Sequence, residues 1–86
     1  MGVITMAKII GTVTHYYDKL GVGIIKLKSP LKVGDTVKFS GHKTHFEQMV
    51  QEIQLMHKDV TAGKKSQEIG IKVTDKVRDG DKVELA

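Results

Sequence analysis

The sequence predicts an all-β domain, and three observations carry that reading. A glycine-aspartate turn occurs twice, β-branched residues gather in short alternating runs, and those runs are joined by short links. The first turn is Leu31-Lys32-Val33-Gly34-Asp35-Thr36-Val37, and the second is Val77-Arg78-Asp79-Gly80-Asp81-Lys82-Val83, 46 residues further on. Both read apolar, basic, any residue, Gly, Asp, any residue, Val. Gly tolerates positive φ and Asp bonds its own backbone, so Gly-Asp ahead of a β-branched residue marks a tight turn launching a strand. Gly34, Asp35, Gly80 and Asp81 are therefore assigned structural roles.

At 86 residues the chain is expected to form one domain, 1–86, with residues 1–8 a flexible lead-in. A domain this short hides only about 60–65% of the surface its unfolded chain exposes. There is no Cys, so neither a disulfide nor a thiolate metal site can staple the small core. No window approaches a bilayer span, and Met1-Gly2-Val3-Ile4-Thr5-Met6 lacks the order of a signal peptide and the Ser or Thr that myristoylation requires. A soluble cytoplasmic protein without a membrane anchor is expected. With 14 basic and 10 acidic residues the formal charge is +4, which suits acidic partners without demanding nucleic acid.

In chain order, Ile9-Ile10-Gly11-Thr12-Val13-Thr14 opens a first strand that ends near Tyr17. Asp18-Lys19-Leu20-Gly21 turns the chain into a second strand, Val22 to Lys28, which Ser29-Pro30 stops because Pro30 has no N–H for a ladder. After Gly34-Asp35 a third strand runs from Thr36 to Ser40, with Val37 and Phe39 inward, and Gly41-His42 turns it. Further on, Ala62-Gly63-Lys64-Lys65-Ser66 reads as an exposed turn. Ile69, Ile71 and Val73 alternate with Gly70, Lys72 and Thr74 in the clearest strand, and the second Gly-Asp turn feeds Val83 to Leu85.

Thr44 to His57 fits two patterns. Phe46, Met49, Val50, Ile53 and Met56 recur at helical spacing, and Thr44 with Glu47 forms a capping box. The alternative is a strand with Phe46, Gln48 and Val50 on one face, and then Ile53, Leu55 and His57 after a bulge at Gln51-Glu52. Counting it as strand gives six strands, which an antiparallel barrel would close without exposed edges.

The ordered set Ile10-Gly11-Thr12-Val13-Thr14-His15-Tyr16-Tyr17, Gly21-Val22-Gly23-Ile24-Ile25-Lys26-Leu27, Leu31 to Val37, Phe46-Glu47-Gln48, Ile53-Gln54, His57, Ile69-Gly70-Ile71-Lys72-Val73 and Val77 to Asp81 resembles the second domain of elongation factor Tu type translational GTPases, in stand-alone form. A similar module resembles the tail domain of some collagenase-type peptidases. The resemblance covers the chain from about Ile9 onward. It implies a small six-stranded antiparallel Greek-key barrel of the translation-factor domain 2 type, with Thr44 to His57 as one long bent strand. Where such domains carry Gly-Asp before the fifth strand, this chain has Lys64-Lys65-Ser66-Gln67, so a loose basic tip is expected there.

No catalytic residue is assigned, and an enzyme is not expected. Gly63-Lys64-Lys65-Ser66 mimics only the end of a phosphate loop, with the wrong spacing and no strand leading into it. His42 and His45 lie three apart, short of the three or four ligands a zinc site needs, so no metal and no cofactor are expected. His57 is read as a rim hydrogen-bonding group. Ser29, Ser40 and Ser66 lie at turns without a base and orienting group, and Glu47, Glu52 and Glu84 read as solvent-facing. What remains is basic and aromatic. His15, Tyr16, Tyr17 and Lys19 could stack on bases and neutralise phosphate, with His42, Lys43, His45, Lys64 and Lys65 adding basic tips.

The sequence-based reading is thus a non-catalytic binding module that contacts RNA, a tRNA end or ribonucleoprotein, or a translation-related protein. No nucleotide or membrane partner is expected. Its alternative is a protein-interaction or accessory domain working with a separately encoded partner such as a collagenase-type peptidase.

Overall fold

The computed structural model describes residues 8–86, so expectations for residues 1–7 lie outside the described part. Its strands are β1 (Lys8–Tyr17), β2 (Val22–Leu27), β3 (Leu31–Lys32), β4 (Thr36–Ser40), β5 (His45–Met49), β6 (Ile53–Leu55), β7 (Lys58–Val60), β8 (Ala62–Gly63), β9 (Glu68–Lys72) and β10 (Lys82–Leu85). Eight of them form one curled sheet in the order β5-β4-β10-β1-β2-β9-β6-β7, and β3 pairs with β8 in a separate ribbon. Every pairing is antiparallel. The described residues contain no helix, hence none long and apolar enough to cross a membrane.

The fold is all-β and barrel-like, but the count of six strands is corrected. The expected long strand at Thr44 to His57 divides, because Val50, Gln51 and Glu52 leave the ladder between β5 and β6. Pairing then changes partner, with β5 on β4 and β6 on β9. Two more departures come from turns that composition conceals. A two-residue hairpin at Met56-His57 creates β7, and both residues hold positive φ, 52° and 66°, the pattern usually filled by Asn-Gly. The supposed exposed turn at Ala62-Gly63 is instead the strand β8, with Gly63 buried.

Burial decides between the two patterns at Thr44 to His57. Along β5, His45, Glu47 and Met49 are exposed while Phe46 and Gln48 are half-buried, and Val50 beyond it is buried. Met49 is 53% exposed and Met56 85%, so two members of the helical stripe face solvent. Phe46 stacks on Phe39 of β4, its direct cross-strand partner, with centroids 5.0 Å apart. Long-range pairing overrides the local helical period.

The Gly34-Asp35 and Gly80-Asp81 corners share one hydrogen-bond scheme, and a third corner at Ser66-Gln67 repeats it. In each, the residue before glycine or Ser66 by two positions donates its N–H to the side chain of the last residue. These bonds are Lys32 N to Asp35 Oδ2 at 3.1 Å, Arg78 N to Asp81 Oδ2 at 2.8 Å, and Lys64 N to Gln67 Oε1 at 2.8 Å. The last residue's own N–H returns to the first carbonyl in all three. The middle residue sits at positive φ, 98° for Gly34, 94° for Gly80 and 76° for Ser66. The tip expected to be loose is therefore a closed turn.

Each corner also docks on one buried residue elsewhere in the chain through a reciprocal pair of bonds. Gly34 donates to the carbonyl of Val50, whose N–H returns to Asp35 O. Gly80 and Asp81 make the same exchange with Val13, and Ser66 and Gln67 with Leu27. Val13, Leu27 and Val50 belong to the core, which also holds Ile10, Ile25, Phe39, Ile53, Ile69, Ile71 and Val83. Gln48 adds a further tie: its Nε2 donates to Lys72 O at 2.8 Å, and its Oε1 accepts from Thr74 N at 2.8 Å, linking edge strand β5 to the end of β9.

Two stability effects follow. Ser66→Gly removes a left-handed cost of about 1–2 kcal/mol while loosening the unfolded chain by about 0.5–1. Its urea midpoint should rise by the equivalent of about 0.5–1 kcal/mol, whereas Gly80→Ala should lower it by about 1 kcal/mol. A fall on Ser66→Gly would remove the corner assignment. Gln48→Ala should cost about 1 kcal/mol and reduce amide-exchange protection at Thr74 before Val13. Equal protection loss at both would contradict a local tie.

Candidate functional site

The residues singled out as an RNA surface do not converge. His15, Tyr17 and Lys19 are exposed near the start of β2, where Tyr17 pairs with Val22, and the His15 and Tyr17 rings meet edge-on at 4.3 Å. Tyr16 points the other way and packs against the core. Lys64 and Lys65 belong to the corner bonded to Leu27, at the opposite end of β2. His42, Lys43 and His45 are exposed at the β4–β5 turn, which β10 and β1 separate from β2 in the sheet. Nine candidates thus occupy three places.

The other candidates are equally dispersed. His57 is exposed at the strained hairpin tip, and Glu47 and Glu52 are exposed. Glu84 is half-buried and accepts from Ser40 Oγ at 3.2 Å. Among the described residues no three His, Cys, Asp or Glu side chains group closely enough to hold a metal ion.

A concave surface lies on the outer face of β2, β9 and β6, and of the residues named above it takes in Tyr17 and His57. Strand alternation sends Ile25, Ile69, Ile71 and Ile53 inward and leaves Val22, Ile24 and Gln54 on the outer face, where Gly70 is buried beneath its neighbours. Register places Ile24 beside Gly70 and Gly70 beside Gln54, so a residue without a side chain lies between two that have one. A Cβ at Gly70 would approach Val22 Cγ1 to 3.2 Å and Ile24 Cδ1 to 3.5 Å, so these two side chains close over the glycine. The β1–β2 loop raises one wall with Tyr17 and Leu20, and the Met56-His57 hairpin raises the other. The space between them is about 410 Å³, and an adjoining recess of about 230 Å³ extends it toward Glu52 and Lys72.

Three exposed large apolar side chains stand in its walls. Leu20 is 66% exposed, Met56 85% and Tyr17 47%. Such a surface offers hydrophobic contact to an extended or flat partner, with Glu68 as a carboxylate at one end. Nothing in it resembles a nucleophile with its base. The sequence reading placed Leu20 in a turn and Met56 in an apolar helical stripe, and assigned neither to a site. The only signal was an apolar residue where a turn would carry a polar one.

In crystal structures, the C-terminal domain of a putative U32 peptidase from Geobacillus thermoleovorans superposes on this chain with a TM-score of 0.87, covering 99% of both chains at 19% identity. Its selenomethionine variant gives 0.86, covering 90% of this chain and 98% of the other at 20% identity. This is the fold of a U32 peptidase C-terminal domain. In sequence, an uncharacterized protease of Methanocaldococcus jannaschii is 42% identical over 77 residues. That match takes in 88% of this chain and only 19% of the protease. No family model matches the chain.

These likenesses correct the assignment to an elongation factor Tu type domain, and with it the translation and RNA-binding roles. The similarities described above are to a putative U32 peptidase and a protease. The physical reason is that ordered glycines and apolar strands specify a curled β-barrel, whatever larger protein employs it. The basic tips that had supported RNA are separate solvated corners.

If the groove is free surface, Leu20→Ser and Met56→Ser should each alter unfolding free energy by less than about 0.5 kcal/mol in urea titrations. A loss of about 2 kcal/mol or more would mean that these side chains are core packing.

Proposed function

We infer that this chain is a non-catalytic accessory module of a U32-type peptidase, working by binding while another polypeptide body performs hydrolysis. The observation that carries this reading is the end-to-end superposition on an isolated peptidase C-terminal domain. The sequence likeness to a protease much longer than this chain supports it from a second direction. The chemistry agrees. The groove presents apolar walls without a nucleophile-base pair, which fits contact and gives no means of cleaving an amide.

Immobilised chain should retain the catalytic portion of a U32 peptidase from the same cell, produced separately. The purified chain alone should leave a quenched fluorescent peptide mixture uncut. Failure to retain that portion even at low salt, or turnover by the chain alone, would overturn this function.

A further inference from the structure

We propose that Met56 is an oxidation site, one whose reversible conversion to methionine sulfoxide makes a wall of the groove over Gly70 polar and leaves the barrel intact. This goes beyond the accessory-module reading and does not depend on it.

The chain has four methionines and no cysteine, so its sulfur chemistry belongs to thioethers. Among the described residues these are Met49 and Met56. Both are exposed, but their settings differ. Met49 lies in the ladder of β5 directly opposite Thr36 of β4, so a cross-strand neighbour flanks it. Met56 lies past the last ladder pair of the β6–β7 hairpin, Leu55 with Lys58, where no strand residue stands opposite. Its exposure is accordingly 85%, against 53% for Met49. The backbone gives no reason for methionine there, because a φ of 52° favours glycine or asparagine. What the residue contributes is a thioether held in water on the groove wall.

Hydrogen peroxide is the oxidant. A sulfur lone pair attacks one peroxide oxygen, and the O–O bond breaks as the S–O bond forms. The departing hydroxide takes the proton from the transferred oxygen and leaves as water. Sulfur loses two electrons, which the peroxide gains. Oxidation follows solvent access to the sulfur, and it replaces an apolar group by a polar one. Because folding buries little of Met56, the sulfoxide is solvated in the folded chain nearly as it is in the unfolded one, and the barrel is not opposed. The groove does change. The wall facing Tyr17 and Leu20 then bears an oxygen acceptor, which an apolar partner leaves without a donor. Methionine sulfoxide reductases restore the thioether with a dithiol as reductant, the oxygen leaving as water while the dithiol closes to a disulfide.

The test exposes isotope-labelled chain to limiting hydrogen peroxide and follows each methionine by peptide mass mapping. Met56 should oxidise about twofold faster than Met49, in the order of their exposures. On the Met49→Leu chain, oxidation should shift amides at Leu20, Lys58 and Gly70 while those of Phe39, Ile69 and Val83 stay in place, and the urea midpoint should not move. Met56→Leu should abolish the groove shifts. The two reductases, one for each sulfoxide epimer, should reverse them when supplied with dithiothreitol.

Oxidation of Met49 ahead of or level with Met56, a lowered midpoint, groove shifts that survive Met56→Leu, or shifts that the reductases do not reverse would overturn the proposal. Because this experiment contains no peptidase and the retention experiment contains no oxidant, the two fail separately.

Discussion

A strand corner in a curled sheet must reverse the backbone within a few residues and still give every buried N–H and C=O a partner. Here one arrangement meets that demand at three places. A side-chain oxygen from Asp35, Asp81 or Gln67 accepts the first N–H of its turn, and the turn then exchanges two backbone bonds with Val50, Val13 or Leu27. Those three partners are buried apolar residues, so each corner fixes a core side chain and the strand direction together. The β1–β2 register shifts between Val13 and His15, and the ladder breaks at Val50, so the docking points coincide with bends.

This scheme explains which parts of the fold were legible. Gly34-Asp35 and Gly80-Asp81 announce themselves because glycine supplies positive φ and aspartate the acceptor. Ser66-Gln67 performs the same task with residues that carry neither signal, and Met56-His57 turns a hairpin against its own preferences. Val37 and Phe39 alternate cleanly because their strand has one buried face, and Ile69 and Ile71 were legible from the sequence pattern although Gly70 between them is buried too. Thr44 to His57 was ambiguous because its apolar spacing suits a helix as well as a strand with a break. The choice depends on Phe39 and on Asp35, which are distant in sequence from Ile53.

The site was harder to read than the fold. Composition drew attention to tyrosine, histidine and lysine, and the structure disperses them over separate corners. The groove depends on cross-strand register, which sets Ile24, Gly70 and Gln54 side by side although more than forty positions separate Ile24 from Gly70. The kinship likewise lay beyond pattern reading. Glycines and strand periods encode how a barrel closes, and barrels of one shape serve unrelated proteins.

The adjacency of Lys8 and Leu85 has a consequence for how such a unit travels between genes. Neighbouring antiparallel strands lie about 5 Å apart, so a host polypeptide could depart into this barrel and come back almost at its point of exit. A surface loop of a host protein would accept residues 8–85 with little displacement of its own flanks. Grafting of this kind needs no new contact between host and guest, only a gap of one strand spacing.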